Sequence, residues 1–325
     1  MQSTFATAHW LSRPPAVKKI SPQVRIRGLY VHWQQQSNSA MNRSRLQKRT
    51  LMAGLTLTAC VACHLINLHA DSNDRAVIEH TTTDAEAFTF VRIMYDSTGG
   101  FGESWYRHEG RNWQRWETDF PRAESNLMLR LSELTSINVN AKPIVLRLTD
   151  SALNDHPFVF MSDVGWQLLS ENEKECLADY LDAGGFLWVD DFWGKAEWSN
   201  FHANLGSLRT GWNWKPIASD HPIMSIVYNI KGCPQIPARI FFDRTGLDWD
   251  PPGVHRYPAG GTDGVNKVKF VGLFDATNQL LAIATHNTDI ADGWEREGES
   301  KQFFERFSIK SYAFSINVLV YAMTH

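Results

Sequence analysis

Two short apolar runs flank one well-marked helix between residues 157 and 194, and this unit restricts the fold of the chain more than any other feature. The first run, PFVFMSD (157–163), is apolar up to its polar end. The helix after it opens on a capping box, Ser170 with Glu173, and carries an apolar stripe at Leu177, Tyr180 and Leu181. It stops at Gly184, a residue free to take the left-handed conformation that ends helices. The second run is the FLWV of GGFLWVDDFWG (184–194), closed by Asp190 and Asp191. Runs this apolar, without alternation, belong to strands covered on both faces, and a helix between successive strands makes those strands parallel.

The same grammar extends in both directions. FTFVRIMY (88–95) reads as a buried strand with Arg92 as its one charge, and PIVLRLTD (143–150) as another. Between them, Pro121 and the leucines at 127, 131 and 134 mark a helix with one apolar face. VKFVGLFD (268–275) and LLAIATHN, ending at Asn287, read as a hairpin or consecutive sheet strands. Residues 302–323 are apolar on nearly all sides, the mark of a helix packed into the body. Residues 197–265, rich in Trp, Pro and Gly, read as loops and short elements laid over one end. The fold expected is α/β, an open and mostly parallel sheet with helices on both faces.

Charge divides the chain. Residues 1–70 hold nine of the 32 Lys and Arg and none of the 35 Asp and Glu, which leaves the remainder with a net charge of −12. A body so acidic repels phosphate backbones, so nucleic acid is not an expected partner. MNRSRLQKR from Met41 followed by an uncharged stretch, Thr50 to Ala70, has the form of an export signal. The expected organisation is an upstream extension (1–40), a signal peptide or lipoprotein signal (41–70, alternatively an uncleaved anchor), a linker (71–87) and one α/β domain (88–325). LTAC (57–60) resembles a lipobox, which makes Cys60 the candidate for lipidation. The expected location is the periplasm or the membrane-anchored cell envelope, reached through the leader or a lipid anchor.

Open α/β sheets bind ligands beyond the carboxyl ends of their strands. Acids sit at those ends repeatedly: Asp96, Asp150, Asp163, and the pair Asp190 and Asp191. Adjacent residues of an extended strand point to opposite faces, so one of that pair at most faces a cleft unless the backbone turns there. Its two readings are a capping and buried-donor role or a divalent metal and hydroxyl-ligand site. Asp119, two residues before Pro121, reads as a helix N-cap, and His221 in SDHP as a turn residue beside Asp220. The chain contains no G-x-S-x-G or G-x-C-x-G elbow and no H-x-x-x-H pair, so nucleophilic and zinc-hydrolase mechanisms lack their usual residues. Thirteen tryptophans, many near predicted loops, suit either packing or stacking on a ligand.

The order of FTFVRIMY, WETDFPRAESNLMLRLSELTSI, HPFVFMSDVGWQLLSENEKECLADYLDAGGFLWVDDF, SDHPIMSIVYNI and THNTDIADGWE resembles a bacterial family defined by a domain of unknown function numbered 4159. The family's fold is similar to class I glutamine amidotransferases, and the resemblance covers about residues 88–325. It implies a flavodoxin-like parallel sheet and an envelope setting, and supplies no reaction. The amidotransferase cysteine and its late His–Glu pair have no counterpart at a recognisable position. The positions in these motifs expected to line the cleft are Trp116, Asp119, Asp163, Asp190, Asp191, Asp220, His221, Asp289 and Trp294. The expectation is an envelope module that binds a partner protein or small polar ligand without catalysis. The alternative is a hydrolase of saccharide or peptidoglycan-like substrates that uses two carboxylates.

Overall fold

The computed structural model describes residues 84, 86–100, 102–250 and 264–325. The expected extension, the leader with Cys60 and most of the linker lie outside the described residues. Seven strands form the main sheet: β1 (Val91–Ile93), β2 (Ile144–Leu146), β3 (Phe158–Ser162), β4 (Phe186–Phe192), β5 (Asn213–Pro216), β6 (Lys269–Phe274) and β7 (Leu280–His286). Their order is β2-β1-β3-β4-β7-β6-β5. The first five are mutually parallel, and β6 and β5 pair antiparallel along one edge. This is the open, mostly parallel α/β sheet expected from the sequence.

Each face of the sheet has its own filling, because side chains alternate along a strand. On one face Val159, Met161, Leu187 and Val189 pack with Leu177 and Leu181 of α2 (Glu171–Asp182) and with Phe201 and Leu205 of α3 (Gly194–Leu205). The other face is aromatic. Phe160, Trp188, Trp294 and Phe314 meet edge to face or tilted, with ring centroids 5.3–5.8 Å apart. Such rings bury about 150–250 Å² each, so this layer contributes a large share of the apolar burial. Phe314 comes from the C-terminal helix, α6 (Ile309–Thr324). This helix is entered through a π-helical turn over Phe304–Ser308, and α1 (Arg122–Leu134) lies against it.

The capping box of α2 is formed as expected, with Glu173 N–H donating to Ser170 Oγ and Ser170 N–H to the Glu173 carboxylate, and Gly184 sits at φ 99°. The start of the segment expected to be loops is instead α3. Its first turn is held by one local and one distant partner: Trp193 N–H donates to Glu197 within the helix, and Gly194 N–H to Asn287 Oδ1, 93 residues away. Cys176 and Cys233 are free thiols. No described helix is long and apolar enough to cross a membrane.

Gly165 carries a prediction of its own. A Cβ there would lie 2.5 Å from the Cγ, Cδ and Oε2 atoms of Glu197, a side chain with no exposed surface and no room to swing. Gly165→Ala is expected to destabilise the chain by about 1–3 kcal/mol, the usual range for overpacking. A urea midpoint equal to that of the wild type would contradict it.

Candidate functional site

A cleft of about 640 Å³ opens at the carboxyl ends of the parallel strands. Its acids come from separate segments: Glu109, Asp119 before α1, Asp163 after β3, Asp191 in β4, Asp243, Asp250, Asp289 and Asp292 after β7, and Glu299. Arg107, Arg115, Arg239, Arg244 and Arg296 line it with them, and among the described residues no serine or cysteine does.

The local backbone explains how these acids converge. Between Val189 and Phe192, β4 spends three steps against two on β7, from Ala284 to His286, which is a β-bulge. Within it Asp191 adopts φ 54°. The turn that could free both aspartates from opposite faces is therefore present, and it separates their roles. Asp191 lines the cleft, its Oδ1 accepting from Trp193 Nε1 at 2.9 Å. Asp190 is wholly buried behind it, bonded to the Thr285 hydroxyl and to the Ala291 N–H at 3.1 Å. Asp163 (φ 53°) and Asp119 (φ 66°) take the same left-handed conformation, which Asp tolerates better than most residues. Arg115 Nη1 meets Asp163 Oδ2 at 2.7 Å, and the Thr118 hydroxyl donates to the same oxygen at 3.1 Å.

Asp119 is not the N-cap of α1. Pro121 occupies that position without a side-chain cap bond, and Asp119's carboxyl turns inward instead. The loop carrying it is tied to the sheet by Arg92, whose Nη1 donates to the carbonyls of Trp116 (3.0 Å) and Thr118 (2.9 Å). Arg92 Nε donates to Glu124 Oε1 at 2.7 Å, and both charged side chains are fully buried.

After β7, Asp292 N–H donates to Asp289 Oδ1 at 2.8 Å, which opens the short helix α5 (Asp292–Glu295). Carboxyl oxygens of Asp119, Asp292 and Glu295 lie within 4.8 Å of one another. Burial and mutual repulsion favour the neutral forms of these groups. Burial, then repulsion from Asp119, pushes Asp292 up to about 8. Burial, then repulsion from Asp292, does the same to Glu295, also to about 8. Asp119 and Asp289 are held well above the carboxylate range, first by burial and then by Glu295 and Asp191 respectively. Burial alone accounts for most of the rise of Asp190 to about 7.

The remaining candidates lie elsewhere. Trp116 packs beside the core and Trp294 is wholly buried in the aromatic layer, because both are needed to seal connections onto the sheet. Asp220 is exposed, and His221 Nδ1 accepts from Ile223 N–H, capping a turn away from the cleft. Asp96 pairs with Arg147, and Asp150 accepts from Arg147 N–H. Neither joins the cleft, because β2 and β1 end toward the sheet's edge. Asp292 and Glu295 were overlooked in the sequence although a signal was present: in DIADGWE, Asp289, Asp292 and Glu295 recur every third residue, which stacks them along one side of a helical turn. The arginines come from separate short elements, Arg107 from a two-stranded hairpin, Arg115 from a 3-10 turn, and Arg239 and Arg244 from the short helix α4 (Arg239–Thr245), and left no periodic trace.

With this geometry in place, the comparisons with known proteins are narrow. A family model described as a domain of unknown function (DUF4159) matches residues 106–323, well over half of the sequence, and the chain belongs to that family. A search of the curated proteins finds no match.

Proposed function

We propose that this family member is an exported envelope module that binds a small polar ligand carrying both signs of charge in the cleft at the strand ends. The observation that supports the reading best is the lining itself, with acids on the floor and arginines around them, drawn from segments spread over the domain and without a serine or cysteine nucleophile. Among the described residues, Arg107 and Arg244 line the cleft without an ion-pair partner, so they are open to the anionic end of a ligand, while Asp191 and Asp289 face a cationic end. The basic, acid-free start of the chain supports export.

A carboxylate-based hydrolase is the second reading, favoured by proton-holding acids beside one another. Glycoside hydrolysis wants two carboxyl groups about 5 to 9.5 Å apart. The arginines interleaved with the acids suit a ligand of mixed charge better than a glycosidic bond, which ranks binding first.

Thermal unfolding in the presence of free amino acids, amino sugars and peptidoglycan fragments tests the proposal. A saturable rise in Tm with one class, weakened about tenfold or more in Asp191→Asn, is the expected result. A flat response across the panel, with a protein captured from membranes by wild type and not by Asp191→Asn, would replace the small ligand with a partner protein.

A further inference from the structure

Resting on the reading of the cleft as a ligand site, we infer a binding site for a hard divalent cation of calcium's size at its wall, held by Asp119 and Asp292, which line the cleft, and by Glu295 beside them. Two of these acids belong to α5, and by themselves they would be an ordinary acidic turn. The independent observation is Asp119, which arrives from the loop before α1. Its carboxyl group is enclosed, its Oδ2 has no exposed surface, and it makes no hydrogen bond among the described residues. A carboxylate buried without a hydrogen-bond donor costs several kcal/mol, and only the nearby charges of Arg92 and Arg296 act against that cost at this position. Its oxygen nevertheless lies beside those of Asp292 and Glu295, in a group spanning no more than 4.8 Å.

The donor set favours calcium, which takes many protein oxygens in flexible geometry, whereas magnesium dehydrates reluctantly and is usually held by one or two carboxylates. An all-oxygen set disfavours the softer transition metals. Arg296 occupies one Glu295 oxygen, the other lies 3.8 Å from Arg122 and is the one offered to the ion, and Arg239 N–H holds Asp292 in place. Three protein oxygens fill only part of a calcium sphere, so the remaining positions face the cleft, where an oxygen of the bound ligand completes them.

Calorimetry on the full chain in chelator-treated buffer, titrated with calcium chloride and separately with magnesium chloride, decides the matter. Saturable one-to-one calcium binding is expected, tighter than magnesium by about tenfold or more, since magnesium demands a smaller octahedral shell. Asp119→Asn should weaken calcium at least about tenfold while its Tm without calcium stays at or above the wild-type value, because a neutral amide avoids the burial and repulsion that an ionised carboxylate meets there. If that variant does not fold, Glu295→Gln carries the same test, and Asp96→Asn, outside the cleft, should bind as wild type does. No saturable calcium binding, equal or tighter magnesium binding, or unchanged affinity in both cleft variants would overturn the inference. Repeating the small-ligand panel with and without EDTA separates the two proposals. Ligand binding indifferent to EDTA removes the cation and keeps the ligand site, whereas calcium binding with no ligand response keeps the cation and removes the ligand.

Discussion

Glutamine in place of Glu124 is expected to cost the fold about 3–5 kcal/mol, the largest single loss we anticipate, because it leaves the Arg92 guanidinium buried without its counter-charge. Neither side chain of the pair has any exposed surface. Burial pushes the Glu124 carboxyl up, and the Arg92 charge is the largest influence against it, ahead of a backbone hydrogen bond, so the ionised form of Glu124 depends chiefly on Arg92. Replacing both, Arg92→Met with Glu124→Leu, should restore much of the stability, since apolar residues of similar volume fill such sites well. It should not restore the cleft, because Arg92 also holds the carbonyls of Trp116 and Thr118, and through them the Asp119 loop. Denaturant midpoints for the single and double variants, read beside cleft ligand binding, separate the two effects. A single variant within about 1 kcal/mol of wild type would contradict the argument, since that is the scale of an ordinary surface change.

Asp190→Asn should become progressively more stable than wild type as pH rises, gaining about 2.6 kcal/mol between pH 5 and pH 8, at about 1.4 kcal/mol per pH unit until the slope fades near pH 7. The folded carboxyl titrates at about 7 and the unfolded one near 3.8. The folded state therefore binds the proton more tightly, and the stability this gives is complete below pH 3.8 and lost as pH climbs through 7. The hydrogen bonds agree with a neutral group. Thr285 has one hydroxyl proton yet contacts both the Val189 carbonyl and Asp190 Oδ1, while accepting from Trp188 Nε1. A protonated Asp190 satisfies both contacts, and asparagine, with its amide N–H, imitates it. The Asp190 charge acts on Cys233 and Asp289, both of which are pushed up first by burial. A difference between variant and wild type that stays constant with pH would refute the assignment.

The sheet was legible because its signals are local. The capping box at Ser170, the stop at Gly184 and the apolar runs of β3 and β4 depend on neighbours within a few residues, and each is found where the pattern put it. The start of α3 was not legible, since its first turn depends on Asn287, 93 residues away. Asp119 was misread for a related reason: an Asp before a helix usually caps it, and only the tertiary tie from Arg92 turns the carboxyl inward. The aspartate pair posed a question that no periodicity answers, because the bulge that separates Asp190 from Asp191 is a property of pairing with β7.

That bulge works as a reading frame. Up to Val189, alternate residues of β4 go to the α2 and α3 side, and the extra step returns Phe192 to that same side although it stands three positions on. The count of residues between Val189 and Phe192 thus decides which side chain reaches the cleft, independently of the core on either side. A homologous chain one residue shorter there would keep the same sheet and present a different residue to its ligand. Length at this one point, more than identity along the strand, should sort the relatives that share this chemistry from those that share only the scaffold.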